Sequence, residues 1–363
     1  MTYQDFIPQA YSNTVESGKV TWQSPSNIAL VKYWGKKEHQ IPANPSISFT
    51  LDHCKTTTTL EFSKRSSAIK ENEAFDFDFY FEGKRKEDFK PKIATFFKRV
   101  VQYCPYLKEY HLEISSENSF PHSSGIASSA SGMSALALCL MSLEKEIDQE
   151  ISEEFFNKKA SFLARLGSGS ACRSIEGELI EWGEHDDLKE SSDLFGIKYP
   201  YTVHEVFDHY QDTILLVDKG QKQVSSSVGH NLMHGHPFAE ARFEQAHDNL
   251  NKLKPILESG DLVSFMNLVE SEALTLHAMM MSSNPYFILM KPNTMEIINK
   301  IWEFREQTKL PICFTLDAGA NVHVLYPKKD KAKILEFIKN ELVAYCENGQ
   351  YICDQIGKGA KKL

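Results

Sequence analysis

Pro121-His122-Ser123-Ser124-Gly125-Ile126-Ala127-Ser128-Ser129-Ala130-Ser131-Gly132 is a run of small residues with a strand-like segment, His111-Leu112-Glu113-Ile114, before it. It opens into a helix-like run from Ala127 to Leu140, rich in Ala, Met and Leu. Small side chains let another group approach the backbone, and Gly125 can turn the chain at positive φ. The first amides of a helix lack intrahelical partners, and the macrodipole places roughly half a positive charge beside them. Together these features make an anion cradle suited to a phosphate. Ser128 and Ser129 add hydroxyls for phosphate oxygens or a magnesium ion. No lysine follows the glycines in the Walker manner. A helix start packed closely on a sheet explains the same residues, so the rest of the chain has to decide.

The chain has 363 residues, enough for two domains or one large two-lobed unit. Hydrophobic residues make up 42% and charged residues 25%, as in ordinary soluble globular proteins. Lys and Arg number 40 against 49 Asp and Glu, a net charge of -9, which argues against nucleic acid as the main ligand. An anionic small molecule remains compatible, since a few cations suffice at a pocket. No basic-then-apolar leader opens the sequence, and no stretch approaches the ~20 apolar residues of a membrane span. The 7 cysteines form no C-x-x-C pair, which predicts reduced thiols in the cytoplasm and neither a disulfide framework nor a zinc site.

Val20 to Lys32 reads as extended chain interrupted at Pro25, with Asn27-Ile28-Ala29-Leu30-Val31 buried. Lys32-Tyr33-Trp34-Gly35-Lys36-Lys37 follows at once as a candidate anion-binding corner, or more plainly as a solvated strand end. Ser46 to Leu51, Thr56 to Phe62 and the alternating Phe75-Asp76-Phe77-Asp78-Phe79-Tyr80-Phe81 read as antiparallel strands. Pro91 to Tyr103 reads as a helix with proline near its start. Ser152 is the expected N-cap of a helix reaching Leu166.

Gly167-Ser168-Gly169-Ser170-Ala171-Cys172-Arg173-Ser174 is a second small-residue run, ended by an arginine. The fixed fork of a guanidinium suits a carboxylate or a phosphate, and a helix cap is the plainer use of such a run. Asp186 to Tyr199 reads as a surface loop, Thr213 to Val217 as a buried strand, and Val224 to His230 as a serine-rich turn. Pro237 to about Met281 turns helical, with Met279-Met280-Met281 as adaptable core, and Thr294 to Phe304 forms a further helix. Asp317-Ala318-Gly319-Ala320-Asn321 lies between two strands, Ile312 to Leu316 and Val322 to Tyr326. An acid there can project into a cleft without its neighbours blocking it, although a tight turn needs no such role. Lys331 to Tyr345 reads as a helix, and the basic tail from Gly357 as loose chain.

These segments, in this order, resemble the diphosphomevalonate decarboxylase branch of a small-molecule kinase superfamily. That superfamily is named for galactokinase, homoserine kinase, mevalonate kinase and phosphomevalonate kinase. The likeness is carried by Ser26 to Lys37, Pro121 to Ser131, Arg165 to Ser174 and Phe314 to Asn321, and it spans roughly residues 20 to 345. It implies a two-lobed α+β fold. Residues 1–205 would form an ATP-binding lobe like the second domain of ribosomal protein S5. Residues 206–363 would form a ferredoxin-like α+β lobe carrying the catalytic acid.

The implied reaction is ATP-dependent decarboxylation of (R)-5-diphosphomevalonate to isopentenyl diphosphate. Asp317 would take or orient the proton of the tertiary hydroxyl, and Lys32 would hold Asp317 and neutralise phosphate charge, with Asn27 orienting Lys32. Arg173 would clamp the substrate carboxylate, helped by Ser226. Tyr33, Lys36 and Ser170 would hold the diphosphate, with Ser168 supporting their loop. Gly125, Ala127, Ser128 and Ser129 would bind the ATP phosphates, with Mg2+ bridging those phosphates and reaching Ser128 or Ser129. The resemblance further implies a cytoplasmic homodimer that binds neither nucleic acid nor membrane.

The chain departs from the family pattern in places. Ala320 stands where proline is usual and should loosen its turn; Glu178 replaces a glycine; Ser227-Val228-Gly229-His230 replaces other residues. In some relatives that last segment carries an arginine reaching the diphosphate. Three alternatives follow: the same chemistry on 5-phosphomevalonate, a plain small-molecule kinase, and a non-catalytic RNA-binding module on the S5-like lobe.

Overall fold

The computed structural model describes residues 1–11, 13–66, 74–121, 126–220 and 226–363, the side chains of Ser226 and Ser227 excepted. Its longest strands are β1 (Ser17–Val31) and β2 (Ser46–Lys64), which pair antiparallel. From Cys54 onward β2 alternates buried and partly exposed positions, as its Thr-x-Thr-x-Leu-x-Phe pattern requires of a strand with one face on a core. Upstream, Ser46–Leu51 is buried at every position. The two halves, read from sequence as separate strands, are one element. The polar break between them is held by Asp354, whose carboxylate accepts from the amides of Asp52, His53 and Cys54 at 2.8–2.9 Å.

The same sheet takes up β3 (Asp76–Phe81), β4 (Lys84–Arg85), β5 (Tyr110–Asn118), β6 (Leu179–Trp182) and β7 (Ile197–Lys198). β3 runs parallel to β5, not antiparallel as its alternation suggested. Alternation reports that one face is buried and says nothing about direction. The parallel pairing is possible because α1 (Lys90–Val100) lies in the connection between the two strands. Helices α2 (Ser128–Ile147) and α3 (Glu153–Gly167) cover this lobe's core, and Ser152 does cap α3, accepting from the Phe155 amide at 3.2 Å.

The second lobe contains a four-stranded sheet made of β8 (Gln211–Leu215), β9 (Cys313–Leu316), β10 (Val322–Tyr326) and β11 (Tyr351–Gln355), in the order β11-β8-β10-β9. Its helices are α4 (Ser226–Asn231), α5 (Ala239–Ser259), α6 (Leu262–Met281), α7 (Pro292–Thr308) and α8 (Lys331–Phe337). The turn expected at Val224 to His230 is thus helical where described, and residues 221–225 lie outside the described residues. The helix expected to reach Tyr345 changes to a wider π turn at Ile338.

The tail is held rather than loose. β12 (Lys361–Lys362) pairs with β1, and the Leu363 amide donates to the Thr21 carbonyl at 2.9 Å. Among the described residues no helix is long and apolar enough to cross a membrane.

One apolar core joins the two lobes. Ile28, Leu30, Ile47, Phe49 and Leu51 of the first sheet pack with Leu250 and Leu253 of α5 and Phe265, Met266 and Val269 of α6. That explains why the adjoining ends of β1 and β2 are buried on both faces. Phe265 is fully buried, its ring 4.9 Å from that of Phe207 and 5.5 Å from that of Tyr210. Replacing it with alanine should cost about 3–5 kcal/mol, read as a lowered denaturant midpoint at unchanged slope. A cost below about 1 kcal/mol would mean the lobes are not joined through this core.

Candidate active site

Lys32 leaves the end of β1 at the point where the lobes meet. It is 2% exposed, and its backbone is clamped by the second lobe. Its amide donates to Glu272 Oε2 at 2.8 Å, and its carbonyl accepts from Arg242 at 3.0 Å and from Asn44 at 2.9 Å. Glu272 in turn receives both Arg242 nitrogens, at 2.6 and 3.2 Å, and the Asn249 amide at 2.5 Å. Such a buried ion pair adds little net stability but fixes geometry. The Lys32 ammonium donates to the Ala29 carbonyl at 2.6 Å. Burial pushes it down to about 8, against the upward pull of Asp317, Glu272 and Asp212; Arg173 acts in the same direction as burial.

Arg173 ends a short 3-10 turn (Gly169–Ser174) and is 3% exposed. It donates to Ser46 Oγ and, at 3.5 Å, to Asn27 Oδ1, while its Nε has no partner among the described residues. Burial lowers its pKa, and Asp317 opposes that shift. Asn27 was expected to orient Lys32. Instead it donates to the Ser174 hydroxyl at 2.7 Å and to the Ser170 carbonyl at 3.2 Å, and so positions Arg173 and its loop. The bulge in β1 between Ala29 and Val31 separates the two residues' settings.

Asp317 stands half-buried in the turn from β9 to β10. Its carbonyl accepts from His277 Nε2 at 3.1 Å and from the Gly319 amide at 2.7 Å. The turn bearing Ala320 is tied by hydrogen bonds: the Ala320 carbonyl accepts from Thr294 at 2.7 Å, and Asn321 receives the Asp218 amide at 3.0 Å. These tethers lie within the second lobe and hold the turn without a proline ring.

The corner after Lys32 is folded around Gly35, whose φ of +100 suits glycine and whose missing Cβ leaves room beside Ala43 and Phe243. Tyr33 packs against Trp182, ring centroids 4.7 Å apart, and burial pushes its phenol pKa up. Gly169 lets the second small-residue run approach, since a Cβ there would lie 2.9 Å from the Tyr33 hydroxyl. Burial also lowers Lys36.

At the other side, Ala127 adopts φ 43 and starts α2, placing Ser128 and Ser129 in its first turn. Ser129 and Ser168 hydroxyls lie 3.4 Å apart, so the two small-residue runs meet. Gly125 lies outside the described residues, and the Ser226 side chain is likewise undescribed.

All of these surfaces line one cavity of about 620 Å³: Lys32, Tyr33, Lys36, Ala127, Ser128, Ser129, Ser168, Ser170, Arg173 and Asp317. Asn27 stands behind it. The same cavity extends into an apolar slot that the sequence reading missed, walled by Phe79, Phe81, Phe89, Ile93, Ile114 and Leu136, with Ser116, Asn118 and Lys92 at its margin. The alternation of Phe75 to Phe81 was the available signal, but it did not tell a binding wall from core. Among the described residues no three His, Cys, Asp or Glu side chains come together to hold a metal ion.

If Lys32 must be charged to act, kcat/KM should fall as pH rises through about 8, whereas an ordinary lysine would place that limb above 10. Glu272 raises the Lys32 pKa, so Glu272→Gln should move the limb to lower pH. A limb left in place would remove Glu272 from the site's electrostatics.

A family model described as diphosphomevalonate decarboxylase-like N-terminal domain matches residues 24–193. A second, mevalonate 5-diphosphate decarboxylase C-terminal domain, matches residues 213–361. The chain belongs to the diphosphomevalonate decarboxylase family. It is accordingly an enzyme of the decarboxylase class. The diphosphomevalonate decarboxylase of Candida albicans is 29% identical over 331 residues, covering 87% of this chain and 86% of that protein.

Among solved structures, mevalonate diphosphate decarboxylase from Staphylococcus aureus superposes with a TM-score of 0.79 at 29% identity, over 96% of this chain and 98% of that one. MDDEF in complex with MVAPP, AMPPCP and magnesium gives a TM-score of 0.80 at 26% identity, over 96% and 99%. Where the family pattern has glycine, the Glu178 carbonyl accepts from the Thr50 amide at 2.9 Å, a main-chain bond that either residue can make.

Proposed function

We propose that the cavity carries out ATP-dependent decarboxylation of (R)-5-diphosphomevalonate, giving isopentenyl diphosphate, ADP, phosphate and carbon dioxide. The observation that supports this most is that Lys32, Arg173 and Asp317, from three distant segments, line one cavity, where the Asp317 charge acts on both Lys32 and Arg173. Asp317 orients the tertiary hydroxyl for attack on the γ-phosphoryl group. A carboxylate is a far weaker base than an alkoxide, so positioning supplies most of its effect. Lys32 is a buried cation beside it, and an arriving phosphoryl group favours its charged form. Arg173 clamps the carboxylate, aligning the bond that breaks with the departing phosphate.

Tyr33, Lys36 and Ser170 take the diphosphate, and Ser168 braces their loop. The first turn of α2, with Ala127, Ser128 and Ser129, receives the ATP phosphates, and the apolar slot accepts the base. Magnesium arrives with ATP and neutralises phosphoryl charge, with the Ser128 or Ser129 hydroxyl able to reach it. The fit rests on those two hydroxyls and the open helix start, not on a carboxylate cluster. The lobes divide near residue 205, with the tail returning to the first. Reduced cysteines, six of the seven buried, suit the cytoplasm.

A plain kinase has no use for a buried guanidinium on the cavity wall. Supplying 5-phosphomevalonate and 5-diphosphomevalonate in parallel with ATP, and measuring carbon dioxide, tests the reading. Release from the diphosphate is expected. A stable phosphomonoester without carbon dioxide would make the protein a kinase, and release from the monophosphate alone would change the substrate.

A further inference from the structure

His230 lies on α4 in the second lobe, on the wall of the same cavity. Its placement is fixed from three sides. The Gly35 amide donates to its Nδ1 at 3.0 Å. Its ring lies tilted against those of Tyr33 and Trp34, with centroids 4.3 and 4.6 Å away. Gly229, the residue before it, sits so close to Trp34 that a Cβ would lie 2.5 Å from the indole.

A backbone amide can only donate, so Nδ1 accepts and carries no proton. The neutral ring then bears its hydrogen on Nε2. No partner for Nε2 is found among the described residues. The charged groups that act on the ring are Lys36, Asp317 and Arg173, and burial holds its pKa down to about 3, so the ring stays neutral. A neutral donor, set beside Tyr33 and close to Lys36, is matched to an anionic oxygen.

We propose that His230 binds substrate, donating its Nε2 hydrogen to a phosphoryl oxygen of the phosphorylated acid at the Tyr33–Lys36 end of the cavity. This rests on the function proposed above. It adds His230 itself, a second-lobe side chain of this sequence, to the groups that hold the phosphate. The chain carries this histidine where the family pattern differs, so the contact belongs to this chain's own solution.

The test uses the full chain and two substitutions that separate the ring nitrogens. An asparagine amide can replace Nδ1, and a glutamine amide can replace Nε2. His230→Asn keeps an acceptor for Gly35 and loses the donor. It should raise KM and calorimetric Kd for diphosphomevalonate about tenfold, with kcat within about twofold and KM for ATP unmoved. His230→Gln should restore most of that affinity. Unchanged affinity in His230→Asn would overturn the proposal. So would equal losses in both variants accompanied by equal falls in melting temperature, because then the ring only packs.

The unsubstituted protein offers a check independent of folding. The Nε2 proton of His230 in a 15N-histidine sample should move downfield when diphosphomevalonate is added, and a stationary resonance would overturn the assignment. If the unsubstituted protein binds diphosphomevalonate but releases no carbon dioxide, the reaction fails while the affinity series still decides the histidine. If it binds none, both fall.

Discussion

Asp317→Asn should retain ATP binding and lose turnover by roughly 10²–10⁴-fold, the range associated with a positioned acid or base. The substitution is nearly isosteric. The turn holding residue 317 is tied through backbone atoms, by His277 Nε2 to its own carbonyl and by Thr294 to the carbonyl of Ala320. The fold should therefore survive, and the first turn of α2 and the apolar slot are untouched. Carbon dioxide release and ATP affinity, measured together, check this. Near-normal turnover would remove Asp317 from the chemistry. A parallel loss of ATP affinity would mean that its charge organises the nucleotide instead. Lys32 should respond as well: without the Asp317 charge, which raises its pKa, the alkaline limb of the pH profile should move lower.

Arg173→Lys should raise the substrate KM by about tenfold or more and slow decarboxylation, although the charge is kept. A guanidinium presents several donors in a planar fork, whereas an ammonium is a point charge on a flexible stem. Here two arms of the fork are set by Ser46 and Asn27. A lysine could not keep those bonds and still meet a carboxylate in the same orientation. Because the clamp also aligns the scissile bond, kcat should fall along with kcat/KM, the pattern of an interaction that strengthens in the transition state. An unchanged substrate profile would reduce Arg173 to a structural cap of the Gly169–Ser174 turn. Asn27→Ala should weaken the same parameters by acting through Arg173, and it should leave the Lys32 limb in place.

The residues that bear charge into the cavity were visible in the sequence because polar groups at strand ends and within small-residue runs break a local pattern. Lys32, Arg173 and Asp317 each interrupt a stretch that would otherwise read as core or turn. What the pattern did not carry was their support. Glu272, Arg242 and Asn249 sit on helical faces whose apolar spacing looked like ordinary core, and only the tertiary fold brings them to the Lys32 backbone. Asn27, which the resemblance set beside Lys32, instead bonds the Ser174 hydroxyl and the Ser170 carbonyl, partners that only the tertiary fold brings to it.

The direction of β3 and the docking of the tail depended on pairings between segments far apart in the chain, to which local alternation is blind. The apolar slot was concealed differently. A phenylalanine lining a cavity and one facing a core have the same sequence signature, so Phe79 and Phe81 could be recognised only from the space beside them.

A crystal structure of the enzyme with diphosphomevalonate and a non-hydrolysable ATP analogue tests the convergence of the three charged residues most directly. The account predicts the Asp317 carboxylate within hydrogen-bond reach of the tertiary hydroxyl, Arg173 on the substrate carboxylate and Lys32 beside the γ-phosphoryl group. An Asp317 carboxylate turned away from that hydroxyl, or a substrate carboxylate bound without Arg173, would contradict it.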